Sequence, residues 1–259
     1  MTNSLHRPTA RVLDILNLLS TAAGGLTLTE IASAISAPKS SIVPVVRTMA
    51  EKKFISRNRE NGKYIIGISS FLAGNAYSTT NAALQFIRDE MQAVVSAVNE
   101  ICHLGVLDNH EVLYIAKADS EDPIRVISHI GKRLPAYCTA LGKALICDWT
   151  RRDIQTAFSE GFFPFTPRTV SSMDVLETQL EAVRITGVAR DNEEVSEHLQ
   201  CLAVPLRNRG HVIAALSISL PSFRLTTEKE TLIRTTLGKA KQKIEDYLQK
   251  TQFRGNSLI

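Results

Sequence analysis

Residues 27–66 read in order as a helix, a short turn, a second helix and a basic β-hairpin. The run Thr27-Leu-Thr-Glu-Ile-Ala-Ser-Ala-Ile35 opens on Thr27 with Glu30 three residues on, the spacing of a capping box. Ile31, Ala32 and Ile35 then supply its buried face. Residues 36–40 form the turn, and Asn61-Gly62 marks the turn of the hairpin. Upstream, Val12, Leu13, Ile15, Leu16 and Leu19 predict a first helix over 9–20, ended by Gly24-Gly25. This order constrains the segment to a winged helix-turn-helix, a unit that lays its second helix in the DNA major groove.

In such a unit the first residues of the second helix face base edges, while neighbouring groups hold phosphates. Lys39, Ser40 and Ser41 stand there, where lysine reaches phosphate or guanine and serine donates to either. Arg47 lies further along, and Val45, Val46 and Met49 are expected to pack against the first two helices. Arg57, Arg59 and Lys63 sit on the hairpin, placed to run beside the backbone or into the minor groove. Residues 1–70 carry nine Lys/Arg against four Asp/Glu, and the rest of the chain 21 against 22. The net charge of +4 is therefore concentrated where phosphates would use it. The plainer alternative is a winged helix used for protein contact, with these charges solvated.

Pro44 is the misfit. A helix begun at Pro38 would hold it well inside, at a cost of ~3 kcal/mol, whereas proline is harmless in a first turn. With Ser40 or Ser41 as N-cap, Pro44 falls near that turn. The expectation is a regular helix from about Ser41, with residues 38–40 in the turn.

A chain of 259 residues with 44% hydrophobic content can bury a sizeable core in two domains. No apolar run approaches the roughly 20 residues of a bilayer span. The N-terminus Met1-Thr-Asn-Ser-Leu-His-Arg lacks the apolar core of a secretion signal, so a cytoplasmic protein away from membranes is expected. Cys102, Cys138, Cys147 and Cys201 form no Cys-x-x-Cys pair, which argues against a disulfide scaffold and against a thiolate zinc site.

After the hairpin a helical pattern resumes from residue 68 to about 99, with Leu84, Ile87, Met91, Val94, Val95 and Val98 as its apolar stripe. Small polar residues at 73–82 predict a break between a linker helix and the next domain. Beyond residue 100, strand candidates (101–107, 111–118, 124–130, 188–191, 200–207, 211–219) alternate with helix candidates (139–148, 151–160, 174–186, 227–249). This is the pattern of an α+β domain, an antiparallel sheet covered by helices. The organisation expected is a DNA-binding domain over 1–67, a linker helix over 68–83, a second domain over 84–250 and a flexible tail over 251–259.

The second domain reads as a small-molecule pocket. In the strand 200–207, Cys201, Ala203 and Pro205 share one face and Leu202, Val204 and Leu206 the other. In 211–219, Ser217 and Ser219 lie opposite Leu216 and Ile218. One sheet face is thus small and weakly polar, with Asp191 just upstream, and such groups leave room for a ligand and fix its orientation. Residues 139–142 open a helix, whose first amides favour an anion, so a carboxylate would sit on Ala140 and Leu141. The plainer alternative is a packed sheet whose serines bond locally.

Taken together, the chain resembles the IclR family of bacterial transcription regulators. The resemblance rests on Arg11-Val-Leu-Asp-Ile-Leu, Thr29-Glu-Ile-Ala, Pro38-Lys-Ser-Ser and Gly62-Lys-Tyr-Ile-Ile-Gly in the first half. In the second it rests on Gly131-Lys-Arg-Leu-Pro-Ala-Tyr-Cys-Thr-Ala-Leu-Gly-Lys-Ala, Phe165-Thr-Pro-Arg-Thr, Asp191-Asn-Glu-Glu, Cys201-Leu-Ala-Val-Pro and Ala214-Ala-Leu-Ser-Ile-Ser. It implies a winged helix, a linker helix, a GAF-like effector domain, and a homodimer or dimer of dimers on palindromic double-stranded operators. The effector site would comprise Leu134, Ala140, Leu141, Asp191, Cys201, Ser217 and Ser219, taking a small organic effector such as a carboxylic or sugar acid. Two departures stand out. Pro44 replaces a basic residue usual in the recognition helix, which bears on base readout there. His198 replaces a glycine before the cysteine strand, which bears on the pocket's edge.

Other constellations carry less. Glu194, His198, Cys201 and His211 match no tight metal-ligand spacing, and Cys138, Cys147 and Cys201 show no base and orienter with His129 or His198. The Gly131 and Gly142 contexts match neither dinucleotide nor P-loop patterns, so no cofactor is expected. The leading expectation is a ligand-responsive DNA-binding regulator, a repressor and not an enzyme. The second is a hydrolase-like enzyme with an appended winged helix.

Overall fold

In the computed structural model, residues 5–123, 126–253 and 258 are described, with 77–80 as backbone only. The chain divides into two compact units, Met1–Asn81 and Ala82–Ile259.

The first unit is helical with a small wing. It comprises α1 (Arg7–Thr21), α2 (Leu28–Ala34), α3 (Lys39–Glu51), the hairpin β1 (Ile55–Arg57) and β2 (Tyr64–Ile66), and α4 (Ile68–Thr80). The capping box forms: Glu30 N–H donates to Thr27 Oγ1 at 3.3 Å, and Thr27 N–H donates to Glu30 Oε2 at 2.7 Å. Ile15 and Leu19 of α1, Ile31 of α2, and Ile42, Val46 and Met49 of α3 meet Ile55 in one buried cluster. Leu26 and Tyr64 exchange backbone hydrogen bonds of 3.0 and 2.7 Å, tying the approach to α2 onto the wing. Gly25 is required beside this bridge, because φ there is +76° and a Cβ would overlap the Tyr64 carbonyl.

The expected late start of α3 does not hold. The helix begins at Lys39 with Pro38 as its N-cap, and Pro44 lies inside it. The Pro38 carbonyl accepts from the Ser41 amide at 2.9 Å and from the Ser41 hydroxyl at 2.6 Å, so the first turn closes on Pro38 rather than on a serine cap. The helix keeps going because Ile42, Val46 and Met49 are buried on its inner side. It forgoes the hydrogen bond from position 44 to the Ser40 carbonyl, since proline has no N–H.

The second unit holds α5 (Ala82–Val98), β3 (Ile101–Asp108), β4 (Glu111–Ala118), β5 (Arg133–Pro135), α6 (Ala140–Leu145), α7 (Arg151–Ala157), α8 (Met173–Thr186), β6 (Ala189–Asn192), β7 (Leu199–Asn208), β8 (His211–Pro221) and α9 (Thr227–Lys250). The strands form one antiparallel sheet in the order β5-β4-β3-β8-β7-β6. Leu202, Val204, Leu206, Leu216 and Ile218 face α5 and α9, where they pack with Ile87, Met91, Ile233, Leu237 and Ile244. The opposite face carries Cys201, Ala203 and Ala215 beneath α6, α7 and α8. The period of two along β7 thus separates the greasy face from the small-residue face, and the whole is an α+β fold.

Three expectations are corrected. The break expected across 73–82 narrows to Asn81, with α4 running to Thr80 and α5 starting at Ala82. No strand occupies 126–130, and residues 124–125 lie outside the described residues. Gly131 and Lys132 instead bond Tyr114 through backbone contacts of 2.8 and 3.0 Å, which leads into β5 as the edge strand on β4. In the tail expected to be flexible, Phe253 packs on the core and Leu258 is buried in it, while 254–257 and 259 lie outside the described residues.

Candidate functional site

On the small-residue face a cavity of ≈ 340 Å³ opens between the sheet, the start of α6 and the segments 126–132 and 195–199. Its wall includes all seven residues singled out from the sequence: Leu134, Ala140, Leu141, Asp191, Cys201, Ser217 and Ser219. The register explains the gathering. Asp191, Cys201 and Ser219 are direct neighbours across β6, β7 and β8, and Ala203, Ser217 and His103 form another such row across β7, β8 and β3. Alanine and cysteine in these rows leave the space that larger residues would fill.

Asp191 is 3% exposed and accepts from the Glu194 amide at 2.8 Å. Burial pushes its carboxyl up to about 7, while the Glu194 amide and the nearby Lys143 charge act in the opposite direction. Behind this wall Lys143 of α6 is fully buried, where its Nζ donates to Gln179 Oε1 at 2.8 Å and pairs with the Glu194 carboxylate. Thr139 caps α6, its Oγ1 accepting from Gly142 N–H at 2.9 Å. The helix ladder itself offers the first amides of α6, those of Ala140 and Leu141, no acceptor, and both residues line the cavity. Gly142 is dictated by close approach, since a Cβ would overlap the Ala136 backbone.

The structure adds groups that were not singled out from the sequence: His103, Tyr114, Ser128, Lys132 and Thr139 also line the cavity. His103 Nε2 lies 2.7 Å from Ser128 Oγ, and its Nδ1 lies 3.5 Å from Ser219 Oγ. Burial first, then the Lys117 and Lys132 charges, lower its pKa to about 4, so the ring is neutral at pH 7 and presents one donor and one acceptor. Period-two counting along 101–107 could have found it, because His103 alternates with Cys102 and Leu104 of the core. Ser128 and Lys132 belong to irregular chain and left no such signal. His198 stands at the cavity rim with φ +63°, the left-handed conformation that glycine adopts without penalty.

Burial raises the Cys138 thiol to about 12 and the Cys147 thiol to about 11, and it raises Cys201 further, so none is a thiolate nucleophile at neutral pH. Among the described residues, no three of His, Cys, Asp and Glu are placed to hold a metal. Nor, among them, is any helix long and apolar enough to cross a membrane.

In the first unit, Lys39 and Ser40 are exposed in the first turn of α3, while Ser41 is half-buried with its hydroxyl turned onto Pro38. Arg47 projects from the same exposed side and pairs with Glu51 at 2.9 Å, an open contact that a phosphate displaces at little cost. Arg57 bonds the Gly62 carbonyl at 3.4 Å and lies 5.9 Å from the Tyr64 ring centroid, which braces the wing. Arg59 is exposed and Lys63 half-buried in the same hairpin.

Comparison with known proteins identifies the family of both units. Residues 8–59 match the IclR helix-turn-helix domain, and residues 77–246 match the bacterial transcriptional regulator IclR C-terminal domain. The chain is 36% identical to the HTH-type transcriptional regulator KdgR of Escherichia coli over 78% of each protein. It is 33% identical to the regulator XynR of the same species over 89% of this chain and 92% of that one. The fold also matches that of an IclR homologue from Microbacterium hydrocarbonoxydans solved with 4-hydroxybenzoate, with a TM-score of 0.83, 23% identity and coverage of 94% of this chain and 99% of that one. The protein belongs to the IclR family of transcription regulators, with a DNA-binding helix-turn-helix and an effector-binding domain.

Proposed function

We propose that the protein is a cytoplasmic repressor that binds palindromic operators as a homodimer or dimer of dimers, and that a small organic acid in the second-unit cavity switches it. The observation that carries this reading is the cavity of ≈ 340 Å³ walled by Asp191, Ser217, Ser219 and the opening amides of α6. These groups suit a hydroxylated carboxylate: amides and Lys132 for the anion, serines and His103 for hydroxyls. The Microbacterium homologue's ligand, 4-hydroxybenzoate, is itself a hydroxylated carboxylate.

Assembly is supported by α4, where Ile68, Phe71 and Leu72 are 56%, 62% and 59% exposed. Their i, i+3, i+4 spacing makes one apolar stripe, which a second copy of the same helix would cover. A two-fold dimer reads a two-fold symmetric site. DNA contacts would come from Lys39, Ser40, Ser41 and Arg47 on α3, with Arg57, Arg59 and Lys63 on the wing.

The test is a thermal-shift screen of the full chain against hydroxylated and sugar carboxylates, followed by a DNA mobility-shift titration with any hit. A true effector raises the melting temperature and releases the DNA. A compound that is turned over instead would favour the enzyme reading, and a hit that leaves DNA affinity unchanged would sink the switch.

A further inference from the structure

We propose that α3 reads thymine through an apolar pair, Val43 and Pro44, which contact the 5-methyl groups exposed in the major groove. The inference rests on the DNA-reading role of α3 and assigns it two residues that carry no charge and no hydrogen-bonding side chain.

Burial settles which side of α3 faces outward. Ile42, Val46 and Met49 are buried, with Val45 and Ala50 half-buried beside them. Lys39, Ser40, Val43, Pro44, Arg47 and Thr48 are exposed. At about 100° per residue, Ser40 and Arg47 fall close together in the middle of this arc, and Val43 and Pro44 flank them. The outward strip therefore alternates polar and apolar groups across its width.

Val43 is 45% exposed on a helix whose buried side is already filled by Ile42, Val46 and Met49. Pro44 breaks the helix ladder at Ser40, and although it borders the groove between α3 and α1, it is exposed. Its ring is a rigid apolar surface on the same strip. Lys39 and Arg47 share the exposed side of α3 with the pair, and the wing of the same unit carries Arg57, Arg59 and Lys63, cations suited to phosphates. Apolar groups interleaved with Ser40 and cations on one exposed helix side fit a duplex groove better than they fit an apolar protein surface. Within that groove, the apolar group presented by standard base edges is the thymine methyl.

The contact is tested on DNA. Duplexes bound by the full chain are selected from a random pool, and each thymine of the preferred site is then replaced by deoxyuridine, which removes only the methyl. Loss of one buried methyl should weaken binding about threefold to fivefold at one or two positions in each half-site. Val43→Ser should bind the thymine and uracil duplexes equally at its position, and Pro44→Ala should do the same at a neighbouring one. Val43→Thr, which keeps one methyl, should retain part of the discrimination. Both side chains are exposed, so unchanged melting of Val43→Ser separates lost reading from lost folding.

Uniform indifference to deoxyuridine, or full discrimination surviving in both variants, overturns the proposal while leaving DNA binding intact. Failure of the full chain to select any sequence overturns the DNA-reading role itself. Unchanged DNA affinity in Val43→Ser, together with loss of self-association, would instead assign the patch to a protein interface.

Discussion

The amide of Glu194 donates to Oδ1 of Asp191 at 2.8 Å, while the Glu194 carboxylate is paired with the buried Lys143. One residue thus ties the cavity's carboxyl to an ion pair behind its wall. Asp191 is held in place from the backbone, and its side chain can meet a ligand without first finding its own conformation.

Asp191→Ala should abolish stabilisation by the effector and effector-driven DNA release, while affinity for the free operator stays within a factor of about two. Titration of operator DNA with and without ligand checks both arms. Loss of operator affinity would assign Asp191 to folding rather than sensing.

The pH dependence has a definite sign. Asp191 is raised to about 7 by burial, so the folded state holds a proton that the unfolded state releases near its ordinary value of 3.8. Its contribution is present in full below that ordinary value and is lost as pH rises through about 7. His103 acts oppositely: lowered to about 4, it contributes stability above its ordinary 6.5 that is lost as pH falls through about 4. Asp191→Asn removes only the first term. The melting temperature of the variant relative to the parent should therefore rise between pH 5 and 7.5, by an amount on the order of several degrees. A flat difference over that range would contradict a buried, proton-holding Asp191.

Lys143→Met should be among the most damaging single changes in the second unit. It strands the Glu194 carboxylate, whose Oε2 is already buried without a hydrogen-bond partner among the described residues. A loss of about 3–5 kcal/mol is expected in denaturant unfolding. Adding Glu194→Gln should recover part of that loss by removing the lone buried charge, a coupling that a double-mutant cycle measures.

Two backbone misfits should respond in the stabilising direction. His198→Gly relieves a φ of +63° and should raise stability by up to about 1 kcal/mol, while opening the cavity rim to bulkier acids in the thermal-shift screen. Pro44→Ala restores the hydrogen bond to the Ser40 carbonyl and should stabilise the first unit by up to ~3 kcal/mol. A fall in stability in either variant would mean that the side chain makes a packing contribution larger than its backbone cost.

Much of the fold is legible in the sequence where the controlling interactions are short-range. The Thr27–Glu30 capping box spans one helical turn, and the strand alternation that places Cys201 and Ala203 opposite Leu202 and Val204 is a property of neighbouring residues. The seven cavity residues were found partly from that alternation and partly from family resemblance. His103 was hidden because its partners, Ser128 and Ser219, are 25 and 116 residues away in sequence. The Lys143–Glu194 pair was hidden likewise, spanning 51 residues.

The start of α3 shows where local rules lose. Proline arithmetic favoured a cap at Ser40 or Ser41, which would have spared the helix one hydrogen bond. Burial of Ile42, Val46 and Met49 against α1 and α2 outweighs that loss, and the helix begins at Lys39 with Pro44 inside it. The sequence by itself determined the winged helix-turn-helix, the two-faced sheet and the basic bias of the first unit, because each follows from periodicity, capping or charge counted along the chain. Only the tertiary structure decided which polar groups surround the cavity, which edge strand closes the sheet and which residues α3 shows to solvent. Those depend on what distant segments bury, and burial is settled by packing energy summed over the whole unit rather than by the preference of any one residue.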